Sequence, residues 1–95
     1  MTALDFLRSA GAAAFGPRWQ VPLARALGPM RPSGHPGISG RQVRRWVAGD
    51  TPVPAWALSA VPAMLSAQAE ALVARADELR RAATSAAAEL ERISA

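Results

Sequence analysis

Three arginines lie close together in the segment GRQVRRWVAG, at Arg41, Arg44 and Arg45. A guanidinium group presents its N–H donors as a rigid fork, which suits phosphate oxygens and the O6 and N7 atoms of guanine. Val43 and Trp46 are three residues apart in the same segment, so on a helix they share one face and can pack on a core. The pattern predicts a short helix that buries one face and presents a basic face to a nucleic acid.

Charge is unevenly divided along the 95 residues. Residues 1–54 contain seven arginines and two acids, a net charge of +5, whereas residues 55–95 contain four arginines and five acids, a net charge of −1. Basic charge concentrated in one part of a chain is typical of nucleic-acid binding. The first half is therefore the expected partner surface.

Helical patterns account for most of this first half. Helices are expected at residues 2–14, 17–27 and 40–48. Thr2 and Asp5 resemble a capping box at the start of the first helix, and Ser39 is suited to the N-cap of the third. Gly28 and Gly49 are expected to end the second and third helices. Trp19 and Trp46 are expected in the core.

The second half predicts a long helix with one apolar seam. AWALSAV favours a short helix up to Pro62, and residues 62–93 contain neither Gly nor Pro after the first position. Apolar residues then recur at intervals of three and four: Leu65, Ala69, Leu72, Ala76, Leu79, Ala83, Ala86, Leu90 and Ile93. This heptad-like seam predicts self-association, through Leu65, Leu72, Leu79 and Leu90. The alternative is that the long helix folds back and packs antiparallel against the first helix.

Two segments, QVPLARALG and SGRQVRRWVAG, resemble the helix-turn-helix of the phage repressor and Cro-like family. The matching positions are Gln20, Leu23, Ala24, Gly28, Val43, Trp46 and Gly49. The turn departs from the family, because it runs from Gly28 to Ser39, an excess of about nine residues. We expect the Pro- and Gly-rich segment 29–38 to loop out and leave the two helices crossed as in the family.

The resemblance implies that residues 40–48 form a recognition helix in the major groove of double-stranded DNA. The residues implied to contact DNA are Gln20, Arg25, Ser39, Gly40, Arg41, Gln42, Arg44 and Arg45. Gly40 has no side chain, so base readout would rest on Arg41 and Arg45, with Gln42 as a further reader. Gln20 would contact a phosphate, and Arg25 would add electrostatic attraction.

Several other classes of function lack their residues. The chain has no cysteine and a single histidine, His35, which is expected at the surface of the 29–38 loop, so neither a metal site nor a cofactor is expected. There is no poised carboxylate pair and no phosphate-binding glycine loop, so no enzyme is expected. We also expect no small-molecule ligand, no segment apolar enough to span a membrane, and a cytoplasmic location.

Together these patterns predict an all-α protein with a helix-turn-helix domain at 1–54 and a helical dimerisation segment at 55–95. The expected function is that of a sequence-specific transcriptional regulator, a small dimeric repressor of prophage or accessory genes. Its two recognition helices would enter successive major grooves about 34 Å apart. One alternative is a DNA-binding structural or phage DNA-packaging protein, and another is a protein-interaction adaptor or inhibitor that does not bind DNA.

Overall fold

The computed structural model describes residues 1–32 and 38–95, and this part of the chain is all-α, as predicted, with no strand. Its helices are α1 (Ala3–Phe15), α2 (Gln20–Leu27), α3 (Gly40–Ala48) and α4 (Ala55–Ser94), and a single 3₁₀ turn spans Gly28–Met30. The molecule extends 62 Å along its longest axis, close to the roughly 60 Å expected of the 40 residues of α4 alone. The first three helices therefore lie beside α4.

The start of α1 confirms the predicted capping box. The Thr2 side-chain oxygen accepts a hydrogen bond from the Asp5 backbone N–H at 3.1 Å. The Asp5 carboxylate accepts one from the Thr2 N–H at 3.4 Å. Two N–H groups at the helix start are satisfied in this way, which sets the first residue of α1.

The second helix is shorter than predicted and ends differently. It begins at Gln20 rather than at residue 17, so Pro22 lies in the first turn, where its missing N–H costs little. A glycine that ends a helix commonly adopts a left-handed conformation, but the φ of −49° at Gly28 is right-handed. The chain winds on through one 3₁₀ turn instead, and Met30 thereby packs against the core.

A single hydrophobic core joins all four helices. Its buried members are Leu7, Ala10, Trp19, Leu23, Ala24, Leu27, Val43, Trp46, Ala57, Val61 and Met64. The predicted burial of Trp19 and Trp46 is confirmed, with 6% and 3% of their surfaces exposed. Helix α2 packs on each of the other three helices, and α1 also packs on α4. The core is therefore organised around α2.

The prediction that a helix ends at Pro62 is wrong. Helix α4 passes through this proline without a break. Proline removes one backbone hydrogen bond and crowds the preceding turn. However, Pro62 is exposed, and Val61 and Met64 on either side of it are buried against the domain. Burial of both flanking turns holds the two halves in one helix.

The core extends past residue 54 into α4. Ala57, Val61 and Met64 belong to the core, and Leu65 packs partly against it. Of the later seam residues, only Ala76 is partly buried, and Leu72 and Leu79 remain 56% and 55% exposed. The first three turns of α4 thus complete the domain, and α1 does not cover the rest of the seam.

The expectation that no segment could span a membrane is wrong on length and composition. Helix α4 contains an 18-residue window with a mean hydropathy of 1.3, of which 17% is buried in the domain. A core helix that is mostly buried passes the same test, whereas this window is mostly exposed. Fourteen of the 40 residues of α4 are alanine, and its buried residues pack against the other helices.

The close approach of α1 to Trp19 generates a prediction about stability. A Cβ atom added at Gly11 would lie 2.5 Å from Cε3 of the buried Trp19 ring. We expect Gly11→Ala to lower the free energy of unfolding by about 1–2 kcal/mol, because overpacking outweighs the gain in helix propensity. Chemical denaturation measures the effect.

Ser9→Ala is the matched control, since Ser9 is an exposed position in the same helix. It should leave stability unchanged or raise it slightly, because alanine is the better helix former. An equal gain in both variants would contradict the close packing of Gly11 on Trp19.

Candidate nucleic-acid interface

The first and last residues of α3 are set by caps at both ends, as predicted. The Ser39 hydroxyl accepts a hydrogen bond from the Gln42 backbone N–H at 3.2 Å. Gly49 ends the helix in the left-handed conformation with φ of 82°, which favours a residue without a Cβ atom. The bounds of this short helix therefore follow from local chemistry.

One face of α3 is locked into the domain. Val43 is fully buried and Trp46 is 3% exposed, as their spacing predicted. Val47 and Ile38 pack partly against the same core. Rotation of α3 about its own axis would pull these residues out of the core, so the direction of the opposite face is set.

The opposite face consists of arginines. Arg41, Arg44 and Arg45 are all exposed, and at 100° per residue they occupy an arc of about 100° on α3. Ala48 is exposed on the same arc, and its small side chain leaves no bulky group at the C-terminal end of that arc. We call Arg41, Arg44 and Arg45 the basic face.

The positive charge of the basic face is not neutralised within the described part of the chain. All three salt bridges found there are on α4 and join residues three apart: Arg75–Glu78, Asp77–Arg80 and Glu89–Arg92. Asp50 follows α3 closely but forms none of them. The basic face thus presents its full charge to solvent, which favours an anionic partner.

Gly40 has a packing role that sequence reasoning missed. A Cβ atom at this position would lie 2.8 Å from Cγ2 of Val21. The missing side chain therefore allows the first turn of α3 to approach α2 closely. The glycine thus permits this close approach, and its place among the predicted DNA-contacting residues would rest on its backbone.

The remaining predicted residues lie on α2, at the N-cap of α3 and on α3 itself. Gln20 is the first residue of α2 and is half-buried, and Arg25 is exposed in the last turn of that helix. Gln42 is half-buried on α3, beside the basic face. Ser39 acts as the helix cap, which leaves its hydroxyl engaged with the backbone.

An open groove of about 640 Å³ runs along the flank of α3. Its lining includes the side chains of Arg31, Arg41, Gln42, Arg45, Trp46, Thr51, Pro52, Pro54 and Trp56. Neither Trp56 nor the connector DTPVP has a functional role that the sequence pattern predicts. The connector joins α3 to α4, and only the fold shows that it faces the arginines.

The expectations for His35 and for the 29–38 loop fall partly on residues that the structure does not describe. His35 and the centre of the 29–38 loop lie outside the described residues. The ends of the loop are fixed, because Met30 and Ile38 both pack against the core. Within residues 1–32 and 38–95, no group of three acidic or histidine side chains is arranged to hold a metal ion.

No family model, curated protein or solved structure matches this chain. The resemblance to the repressor and Cro-like helices therefore remains a prediction carried by the residues of α2 and α3. The features that support a function are the basic face and the packing that orients it.

The Ser39 cap can be tested directly. Ser39→Ala leaves the Gln42 N–H without its side-chain acceptor, and we expect the free energy of unfolding to fall by about 1 kcal/mol. Ser39→Thr keeps a hydroxyl acceptor and should lose much less. Thermal denaturation followed by circular dichroism compares the two, and equal losses would show that the cap does not stabilise α3.

Proposed function

We propose that this protein is a sequence-specific DNA-binding protein, a small cytoplasmic dimeric regulator that represses prophage or accessory genes. The observation that carries the proposal is the division of α3 into a buried apolar face and an exposed face of three unpaired arginines within the described chain. A helix held by its core face can enter the major groove without rearrangement.

Arg41 and Arg45 are one helical turn apart, about 6 Å along α3, so both can reach neighbouring base pairs. Each guanidinium can donate two hydrogen bonds to the O6 and N7 atoms of one guanine. Arg44 lies at the edge of the same arc and is assigned to the phosphate backbone. Two side chains would thus read base pairs, and the third would attract the phosphate backbone.

Phosphate contacts would come from outside α3. Arg25 is exposed on the neighbouring helix α2, and Arg31 is half-buried in the groove beside the basic face. Contacts of this kind position a protein on the duplex without reading its sequence. They also make the affinity depend on salt concentration, because bound counterions are released from the DNA.

The exposed seam of α4 supports pairing of two chains. Leu72, Leu79, Leu90 and Ile93 are 56%, 55%, 63% and 71% exposed. Large apolar side chains repeated in this way on a single helix are stabilised by burial against a second helix. A dimer presents two basic faces, so that two half-sites are bound as one unit.

The same exposed seam favours a second candidate function, that of an adaptor which binds another protein and no DNA. An adaptor of this kind would keep its partner after loss of Arg41 and Arg45. Selection of bound sites from random DNA, together with the mass of the complex, separates the two functions. A palindromic consensus and two chains per duplex support the repressor, and the absence of any enriched sequence contradicts it.

Replacement of the two readers tests the assignment of α3. We expect Arg41→Ala and Arg45→Ala each to weaken binding to the selected site by about 1–3 kcal/mol and to relax the preference at one base pair. Arg25→Ala should weaken binding to all sequences alike and reduce the salt dependence by about one phosphate. Fluorescence anisotropy at several salt concentrations measures both effects.

Arg81→Ala is the control for loss of charge, since Arg81 is exposed on α4, away from the basic face. It should change affinity by less than about 0.5 kcal/mol. If both α3 variants keep the affinity and preference of the parent chain, α3 is not the recognition helix.

Introducing two carboxylates into the seam tests whether it holds two chains together. Leu72→Glu combined with Leu79→Glu should give a folded monomer, because neither side chain belongs to the core and a buried carboxylate in the seam would lack a partner. Affinity for a two-half-site duplex should fall sharply. Sedimentation equilibrium gives the mass of each variant.

Ala74→Glu with Ala88→Glu is the matched control. It adds the same two charges at exposed positions away from the heptad seam, so the dimer should persist. A parent chain that sediments as a monomer at micromolar concentration would rule out the role given to the seam.

A further inference from the structure

The seam of α4 is built from two unequal rows. One core position of the heptad holds Ala69, Ala76, Ala83 and Leu90, and the other holds Leu65, Leu72, Leu79, Ala86 and Ile93. The seam is largely exposed beyond Leu65, so what covers it must accommodate alternating small and large side chains. This pattern restricts the orientation of a second copy.

A parallel pair in register places each seam residue against itself. Leucine then faces leucine, alanine faces alanine, and Ala83 and Ala86 form two adjacent layers with little volume. In an antiparallel pair each residue of one row faces the other row. Ala83 can then face Leu79 of the second copy, and Ala69 can face Ile93, which fills the seam more evenly.

The charges beside the seam favour the same orientation. In a parallel pair Arg75 faces Arg80 of the second copy, because these positions flank the core five residues apart. Because the pair is symmetric, this contact between like charges occurs twice. In the antiparallel register that overlaps residues 69–93 completely, Arg75 instead faces Glu89 of the second copy. Both contacts then join opposite charges, and the one contact between like charges is that of Arg80 with Arg80 of the second copy near the centre.

Within one chain, Arg75 bonds to Glu78 and Glu89 bonds to Arg92. These four side chains are all more than half exposed, at 67%, 59%, 52% and 73%. Exposed ion pairs of this kind contribute little to stability. Their side chains are free to exchange partners when a second helix arrives.

We infer that two copies of the chain pair antiparallel through α4, with residues 69–93 of the two helices overlapped and residue 81 at the centre. This inference rests on the dimer of the proposed function and names its geometry. Val73 lies next to the seam, 63% exposed, and extends the apolar strip that the second copy covers.

The orientation sets the distance between the two domains. Residues 55–64 of α4 carry the domain core and lie 17–26 residues from the centre, about 25–39 Å along the helix. The two domains are therefore separated by about 50–78 Å along the dimer. That range contains the roughly 68 Å of two turns of DNA, so the inferred dimer favours half-sites two turns apart over the single turn of about 34 Å expected from the sequence.

The first test measures orientation without DNA. The chain has no cysteine, so Ala67→Cys and Ser85→Cys each give one site for a spin label. In the antiparallel pair the labels at residue 67 lie about 42 Å apart along the axis, and those at residue 85 about 12 Å. Similar short distances at both positions would indicate a parallel pair and overturn the inference.

The second test reverses one charge. Arg75→Glu should weaken the antiparallel dimer roughly fivefold, because the new carboxylate at position 75 then faces Glu89 of the second copy. In a parallel dimer the same change would place that carboxylate against Arg80 and tighten association. Sedimentation equilibrium distinguishes these opposite outcomes.

Rescue completes this test. The double variant Arg75→Glu, Glu89→Arg should return the dissociation constant to within about twofold of the parent value. Within each chain the exchange places a carboxylate near Glu78 and a guanidinium near Arg92, so only a contact between chains explains the recovery. Failure of rescue, or tighter binding by Arg75→Glu alone, overturns the register. Failure to bind DNA would instead overturn the proposed function and leave the orientation intact.

Discussion

The packing of α2 on the three other helices is the constraint on which the rest of the structure depends. Leu23, Ala24 and Leu27 are buried on this eight-residue helix. Ala24 is small enough for a neighbouring helix to approach closely, and Gly40 removes the Cβ atom that would contact Val21. The basic face of α3 keeps its direction because the opposite face is held against α2 and the core.

Much of this arrangement could be predicted from the sequence because it rests on local chemistry. The Thr2–Asp5 box and the Ser39 cap each satisfy backbone donors at a helix start, and Gly49 supplies a left-handed residue at a helix end. The burial of Val43 and Trp46 followed from helical spacing. The same spacing placed the arginines of α3 on the outside, where the structure has them.

Features that depend on tertiary contacts could not be predicted in this way. Local sequence predicts that Pro62 ends a helix, and only the burial of Val61 and Met64 explains its place inside one. Trp56 has no role in the sequence pattern, yet it lines the groove beside Arg41. In both cases the deciding contact joins α4 to other elements of the fold, and local propensity contains no information about such a contact.

Helix α4 connects the two parts of the proposed mechanism without a hinge. Its first three turns complete the core, and the same continuous helix carries the exposed seam to Ser94. Because no flexible linker separates Met64 from Leu72, the orientation of a second copy on the seam fixes the separation of the two domains. A flexible tether would let each basic face find its half-site at many spacings, with an affinity gain set by effective concentration. A rigid helix would restrict the proposed dimer to fewer spacings, so the register of α4 would become part of how the proposed DNA site is selected.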